Sequence, residues 1–218
     1  MGITREMSKI LSTSTAITTD AEISAYNYLS QSTASATYLN QTAYQPGLVL
    51  ITPTSVVNGT IGTNGTVTFS NAATVSLNGC FNSSYDNYKI LINISSATDT
   101  ASLLMRLRVS GSDNNGATSY QRTGYLATPS TLSNSYVATN SLFAGSLSSG
   151  VSSNVPIEIM NPFNAIATTA YLTTFDQPSN NSRGINMMHI DSTSFDGFSL
   201  IISVGSVTGT VRIYGYRN

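Results

Sequence analysis

From Leu48 onward the chain alternates apolar and polar residues, and turn-forming pairs interrupt it every few residues. Leu103, Met105, Leu107 and Val109 alternate with Leu104, Arg106 and Arg108. Val155, Ile157 and Ile159 alternate with Pro156, Glu158 and Met160, and Val211 and Ile213 with Arg212, Tyr214 and Tyr216. A period of two places one set of side chains on one face of a strand, so each segment reads as a strand with one buried face. Helices need apolar positions three or four residues apart, and this part of the chain lacks that spacing. Further strands are expected at Thr66–Ser70, Tyr88–Ile94, Ser119–Leu126, Thr169–Thr174, Gly184–Ile190 and Phe198–Val204. Asn64-Gly65, Asn78-Gly79, Asn115-Gly116 and Asp196-Gly197 read as positive-φ pairs at strand ends. Pro156 makes its strand an edge or marks its start, which leaves Glu158 facing outward from an edge-like strand. Asp86 is expected to cap the turn before Tyr88, and Phe195 and Phe198 to flank a turn and pack inward. The expected fold is mainly β, an antiparallel β-sandwich or jelly roll. No solenoid or propeller repeat and no long heptad run is present.

The first part of the chain reads differently. Ile3, Met7, Ile10 and Leu11 share one helical stripe. Thr19 and Glu22 form a capping box, Asp20 favours the same helix start, and Ala21 to Gln31 reads as a second short helix. Pro46-Gly47 is a strong turn. Two parts are therefore expected: an attachment and oligomerisation segment over 1–47 and a β body over 48–218. The segment has few core-forming residues and would gain its order by burying the Ile3/Met7/Ile10/Leu11 stripe against neighbours.

Composition then narrows the function. Only 9% of the 218 residues are charged, against about 25% in an ordinary soluble domain. Ser, Thr, Asn and Gly take their place. Such a surface suits a protein locked into an assembly or exposed outside a cell. The net charge of −1 and scattered basic residues exclude a nucleic-acid-binding stripe. Cys80 is the single cysteine and His189 the single histidine, which excludes an intrachain disulfide, a multi-cysteine zinc site and a paired-histidine metal site. No stretch approaches the ~20 apolar residues of a membrane-spanning helix, and the opening MGITREMSKILSTS lacks the apolar run of an export signal. A virus particle reconciles an extracellular composition with the missing signal, since its proteins fold in the host cytoplasm and leave by lysis.

Candidate chemistry is sparse. His189 and Asp191 would share a strand face, but a general base or metal arm needs a third converging group. The bland alternative is a half-exposed histidine at a strand end. Glycan cleavage needs two acids held together, from Glu158, Asp176, Asp191 and Asp196. The three aspartates fall in expected turns, where Asp serves the backbone. Neither a Gly-x-Ser-x-Gly elbow nor a phosphate-binding loop occurs. Cys80 has no basic neighbour to activate it. Arg106 and Arg108 suit either anion recognition or, more simply, the polar face of a sheet. No catalytic, cofactor-binding or metal site is expected, and the chain is read as no enzyme.

Five segments, with the opening Gly2–Met7 (GITREM), carry a family resemblance: Cys80–Ile94 (CFNSSYDNYKILINI), Leu103–Asn114 (LLMRLRVSGSDN), Met160–Thr169 (MNPFNAIATT), Thr193–Gly197 (TSFDG) and Ser206–Asn218 (SVTGTVRIYGYRN). In order and spacing the chain resembles structural proteins from the virions of marine and freshwater tailed bacteriophages, of tail-fibre-like or decoration type. The resemblance spans most of residues 75 to 218. It implies a virion component with a sandwich or jelly-roll body, self-associating as a homotrimer and bound to other virion proteins of tail or capsid. A tail fibre or tail-attached appendage is the first expectation, and a head fibre or capsid decoration protein the alternative that the chain's shortness favours. Tyrosine rings and amides on the surface suit contact with host glycans, so a carbohydrate-binding or glycan-cleaving module is the remaining alternative.

Overall fold

The computed structural model describes residues 47–176 and 179–217, with the Asp176 side chain left undescribed. The Ile3/Met7/Ile10/Leu11 stripe, the Thr19–Glu22 box and the second N-terminal helix lie outside these residues. The described residues are mainly β and contain no helix. Their strands are β1 (Leu48–Ile51), β2 (Ser55–Val57), β3 (Thr60–Ile61), β4 (Val67–Ala72), β5 (Thr74–Asn78), β6 (Asn87–Ala97), β7 (Ala101–Val109) and β8 (Ser112–Asp113). There follow β9 (Tyr120–Ala127), β10 (Leu132–Thr139), β11 (Leu142–Leu147), β12 (Ser153–Met160), β13 (Thr168–Asp176), β14 (Asn181–His189), β15 (Gly197–Ile202) and β16 (Val207–Tyr216).

Two sheets form, and every pairing in them is antiparallel. The larger, ten-stranded sheet runs β10-β9-β14-β13-β12-β6-β16-β4-β3, with β1 also beside β16. The strand β16 is therefore internal, between β6 and β4. Its residues Val207–Gly215 line β6, while β4 takes Val207–Val211 and β1 takes Ile213–Tyr216 on the other side. The six-stranded sheet runs β11-β7-β15-β5-β2, with β8 hairpinned onto β7.

One buried cluster joins the two sheets. Tyr88, Ile90, Ile92 and Ile94 of β6, Val155, Ile157 and Ile159 of β12, and Val211 and Ile213 of β16 meet Val75 and Leu77 of β5, Leu103, Met105 and Leu107 of β7, and Phe198 and Leu200 of β15. Each such side chain contributes about 1.5–3 kcal/mol on leaving water. The alternation seen in sequence is thus the pleat of strands facing a shared interior. Phe195 and Phe198 both pack inward as expected.

Several expectations change. Pro156 does not lie on an edge strand: β12 is internal, between β6 and β13. The ring is accommodated because β13 pairs only from Ile157 onward, so its missing N–H falls where β12 has a partner on one side alone. Val109 leaves the buried row and is exposed at the β7–β8 hairpin. Positive φ is found at Gly65 and Gly79 but not at Gly116 or Gly197. Gly197 instead starts β15, where a β-carbon would meet the Leu77 carbonyl oxygen at 2.2 Å, so glycine serves close strand approach there. Asn82 caps the turn before β6 through its side-chain oxygen, which accepts from the Ser84 N–H. The Asp86 carboxylate accepts from Asn164 Nδ2 across the neighbouring turn.

The sheets are unequal in width, and β10 is the outermost strand of the larger one. Five of its eight residues in succession, Leu132 to Tyr136, are exposed, so neither face of that stretch is covered.

Candidate functional site

The register of the large sheet lines up residues across strands on the face turned away from the core. One row runs Tyr136 (β10), Thr123 (β9), Asn186 (β14), Tyr171 (β13), Glu158 (β12) and Lys89 (β6). The next row on this face runs Ala138, Gln121, Met188, Thr169 and Met160. In the first row two large rings stand at either end of two short side chains, Thr123 and Asn186. The result is a trough of about 450 Å³ across β10, β9, β14, β13 and β12. Its walls are Tyr136, 64% exposed, and Tyr171, 46% exposed. Met160 and Met188 give it an apolar side, and Gln121, Thr123, Thr169 and Asn186 its polar groups.

The trough carries no acidic side chain. Arg122, Met187 and Ala170 form the row between the two just described, so their side chains point to the opposite face and only their backbone lines the floor. The Arg122 guanidinium lies over the inward Phe143 ring, 5.0 Å from its centre. Burial and the nearby Arg183 both lower the Arg122 pKa from its ordinary value. One and two strands beyond Tyr171 stand Glu158 and Lys89, and Lys89 Nζ donates to Glu158 Oε1 at 2.8 Å, so the charges beside the trough are paired with each other.

The aromatic surface continues past the trough. The following row on the same face is Asn134, Tyr125, Gly184 and Thr173. A β-carbon at Gly184 would lie 2.3 Å from the Tyr125 ring. Glycine there lets the ring lie down across the neighbouring strand with one side open to solvent. Beyond it come Leu132, Ala127, Ser182 and Phe175, with Phe175 exposed.

The residues singled out from sequence have other places. Glu158 does not face out from an edge: it is half-buried on an internal strand, ion-paired to Lys89 and accepting from the Tyr216 hydroxyl. Burial and that carboxylate raise the Tyr216 pKa to about 12. His189 is not half-exposed but fully buried, its ring packed edge-on to Tyr120 and Phe195 with centroids 4.5 and 4.8 Å away. Neither of its nitrogens has a hydrogen-bond partner among the described residues; Asp191 Oδ2 lies 3.6 Å from Nε2. Burial lowers the His189 pKa, against the opposing pull of Asp191.

Asp191 accepts from Asn114 Nδ2 at 3.4 Å, and Asp196 Oδ2 accepts the Ser110 N–H at 3.1 Å. Arg108 is buried and not on a solvated face. Its guanidinium pairs with Asp113 and donates to Asn78 Oδ1, Ser76 Oγ, Ser199 Oγ and the Gly111 carbonyl. Arg106 donates to the Asn140 carbonyl at 3.0 Å. Cys80 is buried, and its thiol pKa is pushed far up by burial. Among the described residues no group of three or more His, Cys, Asp or Glu is placed to hold a metal.

The trough was not singled out from sequence. Tyr171 and Tyr125 fall at outward positions of expected strands, so twelve tyrosines in a chain without Trp were its available signal. Tyr136 lies on a strand the alternation did not reveal.

No protein-family model and no curated protein matches the chain. Among solved structures the chain is similar to the CBM2 module of the evolved Dit of Lactobacillus casei BL23 phage J-1, at 13% identity and a TM-score of 0.35, over 80% of this chain and 91% of that one. It is also similar to the binding domain of botulinum neurotoxin serotype G, at 10% identity and a TM-score of 0.22, over 78% of this chain and 44% of that one. Both are distant likenesses.

Proposed function

We propose that this chain is a bacteriophage virion structural protein that works by assembly and adhesion, making and breaking no bond. In this reading residues 1–47 attach it to other virion proteins and to sister copies in a homotrimer. The sandwich body, of jelly-roll kind in the proteins the sequence resembles, projects from the particle as a tail fibre or tail-attached appendage and touches the host surface. Support for the virion comes from the five ordered segments and from a surface of hydroxyls and amides. Support for adhesion comes from one observation above all: the outward face of the large sheet is an uncharged trough walled by exposed tyrosines. Of the acids that a glycan-cleaving site would draw on, Glu158 is paired with Lys89 and Asp196 Oδ2 accepts from the Ser110 amide.

Cryo-electron microscopy of the particle, with copy number from quantitative mass spectrometry, tests this reading. Density for the body on the tail, in the low copy of an appendage, is the expected result. High copy spread over the head would replace the tail assignment with decoration. Absence from purified particles would overturn the virion reading altogether.

A further inference from the structure

We infer that the trough across β10, β9, β14 and β13 is a binding site for a neutral oligosaccharide, with Tyr136 and Tyr171 as its stacking walls. The inference rests on the adhesion reading and adds the ligand class and the residues. Three observations carry it. The first is geometry. The two tyrosines stand three strand spacings apart, about 14 Å, and the trough of about 450 Å³ between them lies within the range of small-ligand sites. A ring at each end offers an amphipathic face to the C–H side of a sugar, and the hydroxyl stays wet.

The second is the polar equipment. The side chains of Gln121, Thr123 and Asn186 line the trough and make no hydrogen bond to another described residue. Amides and hydroxyls both donate and accept, which matches the mixed demand of sugar hydroxyls. A peptide segment lying on the trough floor would find no sheet edge there, because β9, β14, β13 and β12 are paired on both sides and only the far flank of β10 is open.

The third is charge. Arg122 turns its guanidinium to the far face over Phe143, and Lys89 and Glu158 cancel each other beside Tyr171. An acidic glycan would leave its carboxylates without a cation, and a basic ligand would find no acid. The site therefore selects uncharged chains. The Tyr125 ring laid over Gly184 continues the stacking surface, so a longer chain gains a further contact.

The test uses the full chain on an array of neutral oligosaccharides of glucose, galactose, mannose, rhamnose and N-acetylhexosamines, beside uronic-acid and sialylated counterparts. Affinities are then measured by tyrosine fluorescence, which is clean because the chain has no Trp. Saturable binding of a neutral member is expected. Tyr171→Ala and Tyr136→Ala should each weaken it by about tenfold or more, as loss of an anchoring ring does, while Tyr171→Phe keeps most of the affinity. Tyr85→Phe, away from the trough, should leave binding unchanged. Binding of no neutral member, preference for acidic members, or affinity unmoved in the Tyr136→Ala/Tyr171→Ala double variant would each overturn the inference. Competition of the purified protein with particle adsorption to host cells separates the two readings. If the array is silent and purified protein still blocks adsorption, adhesion stands and the glycan site falls; if neither is seen, both fall.

Discussion

Removing the Asp113 carboxylate is the sharpest test of how the smaller sheet is held. Arg108 is 11% exposed in its side chain and Asp113 25%. The guanidinium also reaches Asn78 Oδ1 at 3.0 Å, Ser76 Oγ at 3.1 Å and Ser199 Oγ at 2.7 Å, but these acceptors are neutral. Asp113→Ala therefore leaves a buried cation uncompensated, a loss of about 3–5 kcal/mol for a buried pair. The partial exposure of Asp113 and the remaining acceptors put the expected value near the lower end, about 3 kcal/mol. At roughly 2–4 °C per kcal/mol for a domain of this size, Tm should fall by about 6–12 °C. Arg108→Ala should cost less, because Asp113 still accepts from Ser199 Oγ at 2.7 Å and can turn toward water. Replacing both by Met and Leu should recover much of the loss, since neither charge is then stranded. Urea unfolding followed by circular dichroism gives the free energies, and a double-mutant cycle gives the coupling. Raising salt from 0.1 to 1 M should change the coupling little, as screening is weak for a buried pair. A coupling below about 0.5 kcal/mol, or one abolished by salt, would mean a solvent-exposed pair and would refute the argument.

Three further outcomes follow from other sites. The lowered pKa of buried His189 means that the unfolded chain takes up its proton first; the stability it allows is complete above about pH 6.5 and declines as pH falls below that value. His189→Phe, which keeps the packing on Tyr120 and Phe195 and removes two unsatisfied nitrogens, should flatten that acid limb and be neutral or stabilising at pH 7, as read by urea midpoints. Cys80 should resist thiol reagents in native buffer and react at once in 6 M guanidinium, roughly in proportion to the unfolded fraction; fast labelling of native protein would contradict its burial. Gly184→Ala should push the Tyr125 ring off the sheet for under about 1 kcal/mol, because the side chain it displaces is exposed, yet tyrosine solvent accessibility by photo-oxidation should rise.

Much of the body was legible because its strands are amphipathic. β6, β7, β12 and β16 each bury one face, so their apolar residues fall at every second position. β10 was missed because neither face is covered over Leu132 to Tyr136, and an uncovered strand leaves no alternation to read. β2, β3 and β8 have three residues or fewer and show no period. The internal position of β12 was misread at Pro156, because sequence carries no trace of where β13 stops pairing. His189 looked half-exposed for a related reason: only the fold brings Tyr120 and Phe195 around it. The trough was illegible in detail, since its two walls lie on strands 35 residues apart in sequence and meet only through the register of β9 and β14.

The unequal widths of the sheets divide the labour of the molecule. Residues that set folding free energy lie between the layers, while β10 hangs over the rim with Leu132 to Tyr136 uncovered. Substitutions on that flap remove almost no interior contact, so they are nearly silent in stability, typically within about 0.5 kcal/mol. Tyr136 stands on that flap and Tyr171 does not. One rim of the trough can therefore be rewritten freely, and the other is tied to the scaffold. A lineage bearing this architecture can try new surface chemistries on its free flank without risking collapse of what holds it up.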